Sequence, residues 1–429
     1  IMPRSAFVNS PVGTSSDLSK LERVAFLFLW ILVFTMPSEK SLEIPGFGTV
    51  TKLTGLVAIG FGVLAALGTN RVRAWTRAHL AICIFFLWSG ATYFWSADTE
   101  LTSSKFITYL QLFGMVLLIW QFGIAERQQL RLLNAYVVGM CVPAADTLIR
   151  YSLARQTYYQ RYASEGFDPN DLALTCCLAI PMAYYLSLRS AGLVKWLYRF
   201  TIALAVMTIL FTASRAATLA TVAALSVVPW TFHYISRREK GLIACGAVLV
   251  TAAMIAFVPA TSWQRLGTAG TEIQQGTMNS RTLIWKAGFD AFGDAPFRGV
   301  GAGAFPVIAE RILGAPKETR MVAHNTFLSV LIETGVIGFG MFFVVLGLLA
   351  SFIYQFPELD RRFWTVLLAT WAIGVSSLTW EQRKPTWLLI SLVVARFGCL
   401  PASGWSRAKL TMHKAPGDLS AGFENAAQA

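Results

Sequence analysis

The chain has 429 residues, of which 55% are hydrophobic and only 14% are charged, and its formal net charge is +13. Soluble globular domains carry about 25% charged residues, so this composition excludes an ordinary soluble domain. Apolar runs of about 17–25 residues, the length that crosses about 30 Å of hydrocarbon, recur along the sequence. Because the backbone in lipid must satisfy its own hydrogen bonds, we predict an all-α polytopic membrane protein.

The apolar runs predict about twelve transmembrane helices. They lie at residues 24–36, 50–69, 79–95, 106–122, 130–149, 172–188, 198–213, 216–235, 241–259, 336–356, 363–379 and 385–399. A large polar segment separates the ninth run from the tenth. We therefore divide the chain into an N-terminal segment, 1–23; nine transmembrane helices, 24–259; a polar loop with short helices, 260–335; three transmembrane helices, 336–400; and a polar tail, 401–429, whose composition predicts disorder.

Lys and Arg are biased toward alternate connecting segments. More than half of the 36 lie in segments on the same side as the N-terminus. The positive-inside rule then predicts that both termini are cytoplasmic and that the polar loop faces outward, which in a Gram-negative cell is the periplasm. This bias explains the net charge without a nucleic-acid partner, and we expect none.

The remaining cations concentrate in outward-facing segments, where short loops normally have few. Arg155 and Arg161 precede the sixth run. Arg215 follows the seventh, and Arg281 lies in the large loop. This concentration predicts an anionic ligand, although salt bridges to nearby carboxylates would also explain it.

Arg215 lies between two apolar runs, in the sequence Phe-Thr-Ala-Ser-Arg-Ala, and no acidic residue is adjacent. An ionisable group at membrane depth is a functional hypothesis by default. A guanidinium is planar, stays charged and matches phosphate oxygens. The alternative is a turn that simply exposes Arg215 to water.

The segment that begins at Asn279 predicts a helix with Asn279 or Ser280 as its N-cap. Arg281 would then lie in the first turn, where backbone N–H groups also point toward anions. The apolar side chains of residues 283–291 predict a face that lies on the bilayer surface. A surface salt bridge is the alternative role for Arg281.

A turn is predicted at residues 166–173, where Asp168 and Asn170 flank a proline and Asn170 or Asp171 caps the next helix. The alternating glycines of residues 299–303 also predict a structural turn, because no strand precedes them as a dinucleotide-binding motif requires.

His324 ends the polar loop and directly precedes an apolar helix. An imidazole titrates near neutrality and can relay a proton, and Arg320 four residues earlier would favour its neutral form. An interfacial histidine bonded to the backbone is the alternative. Glu333, an acid within the apolar stretch, is predicted to pair with a base or to cap a turn.

No metal site is predicted. The six cysteines lie in or beside apolar runs and show no zinc spacing. Asp168 and Asp171 are two carboxylates beside a proline turn, which is weak support for magnesium. We therefore expect neither a metal nor a cofactor.

Five segments together resemble the O-antigen ligase and polymerase superfamily. They are Asp-Pro-Asn-Asp-Leu-Ala at 168–173, Ser-Arg at 214–215, Ser-Arg…Trp at 280–285, Pro-Phe-Arg-Gly-Val-Gly-Ala-Gly at 296–303 and His-Asn…Glu-Thr-Gly-Val-Ile-Gly at 324–338. The order of the last two after nine spans is the specific part. The resemblance covers roughly residues 20–400.

The resemblance implies a metal-independent glycosyltransferase of the membrane-embedded GT-C type in the bacterial inner membrane. It would transfer O-antigen from undecaprenyl pyrophosphate to the lipid A–core on the periplasmic face, among membrane lipids. Arg215 and Arg281, with Arg161 or Arg155, would bind the pyrophosphate, and His324 would be the general base of an inverting displacement. Asp168, Asn170, Asn325 and Glu333 would support them.

Two other activities remain open within the resemblance, namely an O-antigen polymerase and a protein O-oligosaccharyltransferase. A transporter of lipid-linked sugars is a more distant alternative, because transporters often show internal repeats and charges at the membrane midplane. We find no such repeat in the sequence.

Overall fold

The computed structural model describes residues 18–44, 46, 48–153, 161–267, 281–314 and 321–400. Helices dominate these residues. The one sheet within them is a two-stranded antiparallel ribbon of β1 (Glu43–Ile44) and β2 (Gly48–Thr49), in which Glu43 lies opposite Thr49. The ribbon links the first two helices. The prediction of an all-α membrane protein is confirmed.

The first half of the chain forms long helices joined by short turns. They are α1 (Lys20–Thr35), α2 (Val50–Thr69), α3 (Arg77–Ala91), α4 (Thr99–Phe122), α5 (Glu126–Leu153), α6 (Pro169–Leu188) and α7 (Gly192–Thr212). Short polar side chains define where these helices start, because each accepts a hydrogen bond from a free N–H of the first turn. Ser19 and Glu22 form a capping box on α1, and Asp98 caps α4 through the N–H of Leu101.

The second half alternates long and short helices. They are α8 (Arg215–Leu225), α9 (Val227–Trp230), α10 (Arg237–Phe257), α11 (Ala260–Gly267), α12 (Arg281–Asp294), α13 (Phe305–Leu313), α14 (Thr326–Tyr354), α15 (Glu358–Val375) and α16 (Lys384–Phe397). Single 3₁₀ turns follow α1 at Met36–Ser38, α3 at Thr92–Trp95 and α9 at Phe232–Tyr234.

A single helix, in some cases extended by a 3₁₀ turn, covers most of each predicted span except the eighth, 216–235, which is divided among α8, α9 and a 3₁₀ turn. Within the described ranges, nine helices are long and apolar enough to cross a membrane: α1 to α7, α10 and α14, some together with an adjoining 3₁₀ turn. The stretch Arg215–Trp230 is shorter. Helix α15 begins with four charged residues in its first five, and α16 has only 14 residues.

Helices α6 and α16 form the centre of the bundle. In α6, 89% of the apolar window is buried, and the helix packs against α5, α7, α8 and α15. Helix α16 packs on α4 and is buried almost from end to end, including Trp387. By contrast, no residue in the apolar window of α10 is buried. Helix α10 therefore lies at the edge of the bundle, beside α7.

A network of ion pairs closes the end of the bundle opposite to the polar loop. Asp360, which is buried, accepts bonds from Arg189 (2.6 Å), from Nε of Arg396 (2.8 Å) and from the Tyr185 hydroxyl (2.6 Å). Glu126 pairs with both arginines. These contacts fasten α5, α6, α15 and α16 together at that end.

The described helices of the polar loop pack on the protein. Phe305, Ala309 and Ile332 form a small core with Ile284 and Trp285. Gly288 allows this close approach, because a Cβ there would lie 2.4 Å from Cδ1 of Ile332. The prediction that the apolar face of α12 lies on the bilayer surface is therefore wrong for most of that face.

Candidate functional site

A break in the helical backbone places Arg215. Helix α7 ends at Ala213, which adopts a left-handed conformation (φ 49°) and donates its N–H to the carbonyl of Leu210. The chain then reverses into α8, of which Arg215 is the first residue. Ser214, at the N-cap position, is buried and donates its hydroxyl to Oδ1 of Asn170 at 2.9 Å. The junction between α7 and α8 is thus bonded to the start of α6.

Asn170 connects two arginine-bearing segments. Its Oδ1 also accepts a bond of 2.7 Å from Nη2 of Arg161. Arg161 in turn donates Nε to the carbonyl of Thr212 at 2.9 Å. Because one amide oxygen accepts from both Ser214 and Arg161, the two segments keep a fixed relation at this end of the bundle.

Asp168, rather than Asn170 or Asp171, caps helix α6. Its Oδ1 accepts the N–H groups of Asn170 (2.8 Å) and Asp171 (3.3 Å). Pro169 occupies the first helical position, where its missing N–H costs nothing and its φ suits a helix. The predicted turn is confirmed, but the predicted cap residue is wrong by two or three positions.

Four arginines from separate segments form one cationic cluster, which we call the arginine cluster: Arg161, Arg215, Arg265 and Arg281. Arg215 donates Nε to the backbone carbonyl of Arg265 at 2.9 Å. Burial lowers the pKa of Arg161, and the charges of Arg265, Arg281 and Arg215 lower it further, while Asp168 opposes them. The structure therefore brings together three of the predicted arginines, Arg161, Arg215 and Arg281, and adds Arg265, which sequence analysis did not single out.

His324 lies beside this cluster. It adopts a positive φ of 48° directly before Asn325, whose side chain caps α14 by accepting the N–H of Leu328 at 3.1 Å. Burial lowers the pKa of His324, and the charge of Arg281 lowers it further, whereas Asp168 and Asp171 oppose this. The lowered pKa therefore favours the neutral imidazole at pH 7.

Trp285 links Arg281 to His324 structurally. Its indole Nε1 donates to the carbonyl of Ala323 at 2.8 Å, so α12, one turn after Arg281, is bonded to the residue before His324. Arg281 provides a cation that acts on His324. Arg320 and Arg155 lie outside the described residues, as does the predicted helix cap at Asn279 or Ser280.

Residues 200–343, about a third of the chain, match the family model described as O-antigen ligase. This segment of the chain is therefore similar to the O-antigen ligase family. The matched segment contains Arg215, Arg265, Arg281 and His324, so most of the arginine cluster and the histidine lie within it. No curated protein matches the chain.

A turn between α15 and α16 forms a further wall of the site. Trp380 and Arg383 donate to the two carboxylate oxygens of Asp171, at 2.8 and 2.9 Å. Thr326, at the start of α14, donates to the carbonyl of Leu378 at 2.8 Å. Asp171 is thus occupied by two side-chain donors. Among the described residues, no group of three metal-ligating side chains is found.

Glu333 pairs with a base, as predicted, and the base is Lys105. Lys105 lies 2.5 Å from Glu333 and 2.6 Å from Glu381, and all three are buried. Glu333 also accepts the N–H of Gly303 at 2.8 Å. The sequence shows no signal for this triad, because its members come from α4, α14 and the turn before α16.

The alternating glycines form the predicted turn. Gly299, Gly301 and Gly303 all have positive φ, and so does Gly335, where the backbone of α14 departs from helical geometry. The N–H of Gly301 donates to the carbonyl of Glu333 at 2.9 Å. The turn therefore fits directly against the kink in α14 at Gly335, about three helical turns after His324.

An apolar groove lies between α7, α8 and α10 and has a volume of about 600 Å³. Thr218, one helical turn from Arg215, lines one part of it, and Met254, near the loop end of α10, lines another. It extends along α7 from Arg199 to Leu210, which is about 16 Å at 1.5 Å per residue. The groove thus begins next to the arginine cluster and continues along the apolar length of the bundle.

Proposed function

We propose that the protein is an O-antigen ligase that transfers a glycan from undecaprenyl pyrophosphate to the lipid A–core. The observation that carries the proposal is the arginine cluster beside His324 at one end of a membrane bundle. The family match over residues 200–343 supports a ligase- or polymerase-type activity. The reaction needs an anion site and a base at the same place, and this site offers both.

The leaving group is a diphosphate, and its negative charge grows as the bond to the anomeric carbon breaks. Fixed cations in a partly buried site stabilise such charge strongly, because they need no reorganisation during the reaction. Guanidinium groups also donate in pairs to phosphate oxygens. Arg161, Arg215 and Arg281 would bind the diphosphate, and Asp168 offsets only part of their charge.

The apolar groove suits the polyprenyl chain of the donor. A lipid-linked diphosphate needs an anion site at the membrane surface and an apolar path leading away from it. The groove begins one helical turn from Arg215 and is lined by apolar side chains of α7, α8 and α10. This continuity supports a lipid-anchored donor over a soluble nucleotide sugar.

His324 would accept the proton of the attacking hydroxyl. The acceptor oxygen forms a bond to the anomeric carbon while the bond from that carbon to the diphosphate oxygen breaks. The hydroxyl proton passes to a ring nitrogen of His324, and the electron pair leaves with the diphosphate. A lowered pKa keeps the imidazole ready to accept the proton. A single displacement of this kind inverts the anomeric configuration.

The remaining predicted residues would position these groups. Asn170 orients Arg161, and Asp168 fixes the start of α6. Asn325 caps α14 immediately after His324, and Glu333 fastens the glycine turn to that helix. We place the site at the periplasmic face of the inner membrane with both termini cytoplasmic, following the bias of Lys and Arg.

The proposal is tested in a strain lacking the gene. Complementation with the wild-type chain should restore O-antigen on lipopolysaccharide, whereas Arg215→Ala, Arg281→Ala and His324→Ala should not, at equal protein levels. Normal lipopolysaccharide in all three variants would overturn it. A single repeat on the core in the deletion strain would indicate a polymerase instead.

A transporter is separated from a transferase with purified protein. In detergent there is no second compartment, so joining of the lipid-linked glycan to the core glycolipid supports a transferase. Unjoined substrates under conditions where the protein is folded would contradict the proposed activity.

A further inference from the structure

A second, polar cavity lies beside the site, and the residue 382–384 turn forms one of its walls. It has a volume of about 910 Å³ and is bounded by the start of α2, the turn after α3 and α4. Arg383 lines it and also donates to Asp171, whose charge acts on His324. The side chains of Arg383 and Asp171 therefore lie between this polar cavity and the side of the site that contains His324.

The wall on α4 is a largely polar side of that helix. Thr99, Ser103, Ser104, Thr108 and Gln111 line the cavity together with Ile107. Thr108 and Gln111 fall within the predicted span 106–122, where polar side chains normally face the bundle interior or a water-filled space. Their position thus indicates a polar occupant or water in the cavity.

The other side chains of the cavity distinguish between polar ligands. Glu100 is exposed within it, and Glu39 pairs there with Lys384. These carboxylates would repel a diphosphate, whose binding site should contain cations without nearby acids. A sugar, in contrast, requires donors and acceptors together, and an aromatic ring such as that of Tyr93, which is 46% exposed, offers a face for its C–H groups.

An apolar crevice adjoins the polar cavity. The two share Lys52, Thr108 and Gln111, and the crevice continues between α2 and α4 past Ile59 and Met115. The polar cavity suits a sugar, and the adjoining apolar crevice suits the lipid to which that sugar is attached. No helix lines both the polar cavity and the apolar groove beside α10. Two lipid-anchored substrates can therefore approach His324 from separate sides.

We propose that the polar cavity binds the sugar part of the acceptor glycolipid and directs its hydroxyl past Arg383 to His324. The inference rests on the proposed transferase activity. A volume of about 910 Å³ is at the upper end of the range of about 300–1,000 Å³ for small-molecule sites, which suits more than one sugar ring.

The first test compares two serine-to-tryptophan variants of the full chain in detergent. Ser104→Trp fills the polar cavity, whereas Ser351→Trp places the same ring on an exposed position of α14 outside it. With purified core glycolipid as acceptor and an undecaprenyl-pyrophosphate glycan as donor, Ser104→Trp should raise the acceptor KM about tenfold or more, in proportion to lost binding. The donor KM should not change, and Ser351→Trp should resemble wild type.

An unchanged acceptor KM in Ser104→Trp, or a raised donor KM alone, would overturn the inference while the transferase activity stands. Absence of transfer by the wild-type chain would instead refute the proposed function.

The second test needs no activity. A photoreactive benzoylphenylalanine is placed at Ser104, or at Val248 on exposed α10 as a control, in the His324→Ala chain. Crosslinking to the core glycolipid at position 104 but not at 248 is expected. Crosslinking of position 104 to the donor glycan only, or to neither substrate in a folded chain, would contradict the assignment.

Discussion

Asn170 accepts a hydrogen bond of 2.9 Å from Ser214, a residue 44 positions later in the chain. The bond joins the start of α6 to the break that precedes Arg215. Since the same oxygen accepts from Arg161 at 2.7 Å, the geometry of two cluster arginines depends on one amide. Asn170 is thus a positioning residue that need not touch the substrate.

Asn170→Ala should raise the donor KM and lower kcat, because both arginine-bearing segments lose their common acceptor. The loss of buried hydrogen bonds costs about 1–3 kcal/mol, which corresponds to a drop in kcat/KM of roughly 5- to 150-fold. Steady-state kinetics with the lipid-linked donor checks this. The control is Asn134→Ala, which removes an amide of α5 that accepts a hydrogen bond from the Tyr198 hydroxyl. This variant should leave the kinetics nearly unchanged. Equal losses in both variants would point to general destabilisation.

Arg215→Ala should reduce kcat by about 10²- to 10³-fold, the usual cost of removing one donor that stabilises developing charge. Arg215→Lys should recover only part of this, because an ammonium lacks the planar fork that also bonds the Arg265 carbonyl. Single-turnover rates measure the difference. Arg238→Ala, an exposed arginine within the same family segment, is the matched control and should be active. Full activity in Arg215→Lys would mean that charge alone is needed.

The acidic limb of the pH–rate profile should report on His324. Its pKa lies below the usual value because of burial and Arg281, so kcat/KM should fall as the pH decreases through a value below about 6.5. In Arg281→Gln the cation that lowers this pKa is lost. The pKa should then rise, and the limb of the residual activity should move to higher pH.

Profiles of kcat/KM from pH 4.5 to 8 with the purified chain distinguish these cases. His233→Gln, an exposed histidine, should leave the limb in place. A limb that persists unshifted in Arg281→Gln, or that survives in His324→Gln, would assign the titration to another group.

The sequence is sufficient to predict the helices, but only some contacts of the candidate site. The lengths of the apolar runs are sufficient to predict the helices, since the bilayer fixes their length. Proline favours the first position of a helix, so Pro169 makes Asp168 the cap of α6. This local rule could have been applied to the sequence. The bond from Arg215 to a backbone carbonyl of Arg265 could not have been predicted, because every residue has such a carbonyl. Contacts of this kind depend on tertiary packing alone.

Lys105→Met should lower the Tm substantially. The substitution leaves Glu333 and Glu381 buried next to each other without a cation, and removing one partner of a buried ion pair costs about 3–5 kcal/mol. The double variant Lys105→Met, Glu333→Gln removes one of the two charges and should recover part of the stability. Thermal unfolding in detergent provides the measurement.

The matched control for this triad is Glu358, whose exposed side chain pairs with Arg362 one turn later on α15. Glu358→Gln should change the stability little, because such surface pairs contribute about 0–1 kcal/mol. A similar Tm decrease for Glu358→Gln and Lys105→Met would mean that the buried triad has no special role in the fold.

Gly335→Ala should disturb the site through the backbone of α14. Gly335 has a φ of 68°, and a Cβ there would lie 2.2 Å from the carbonyl oxygen of Phe297, so the glycine turn would have to move away. Positive φ strains an L-residue, and the turn fits against the same helix that His324 precedes. Both the Tm and kcat should therefore fall. Gly340→Ala lies five residues further along the same helix, where a Cβ meets nothing within 4 Å, and it should be neutral or slightly stabilising. If Gly335→Ala lowers the Tm but leaves kcat unchanged, the kink serves folding alone and does not position His324.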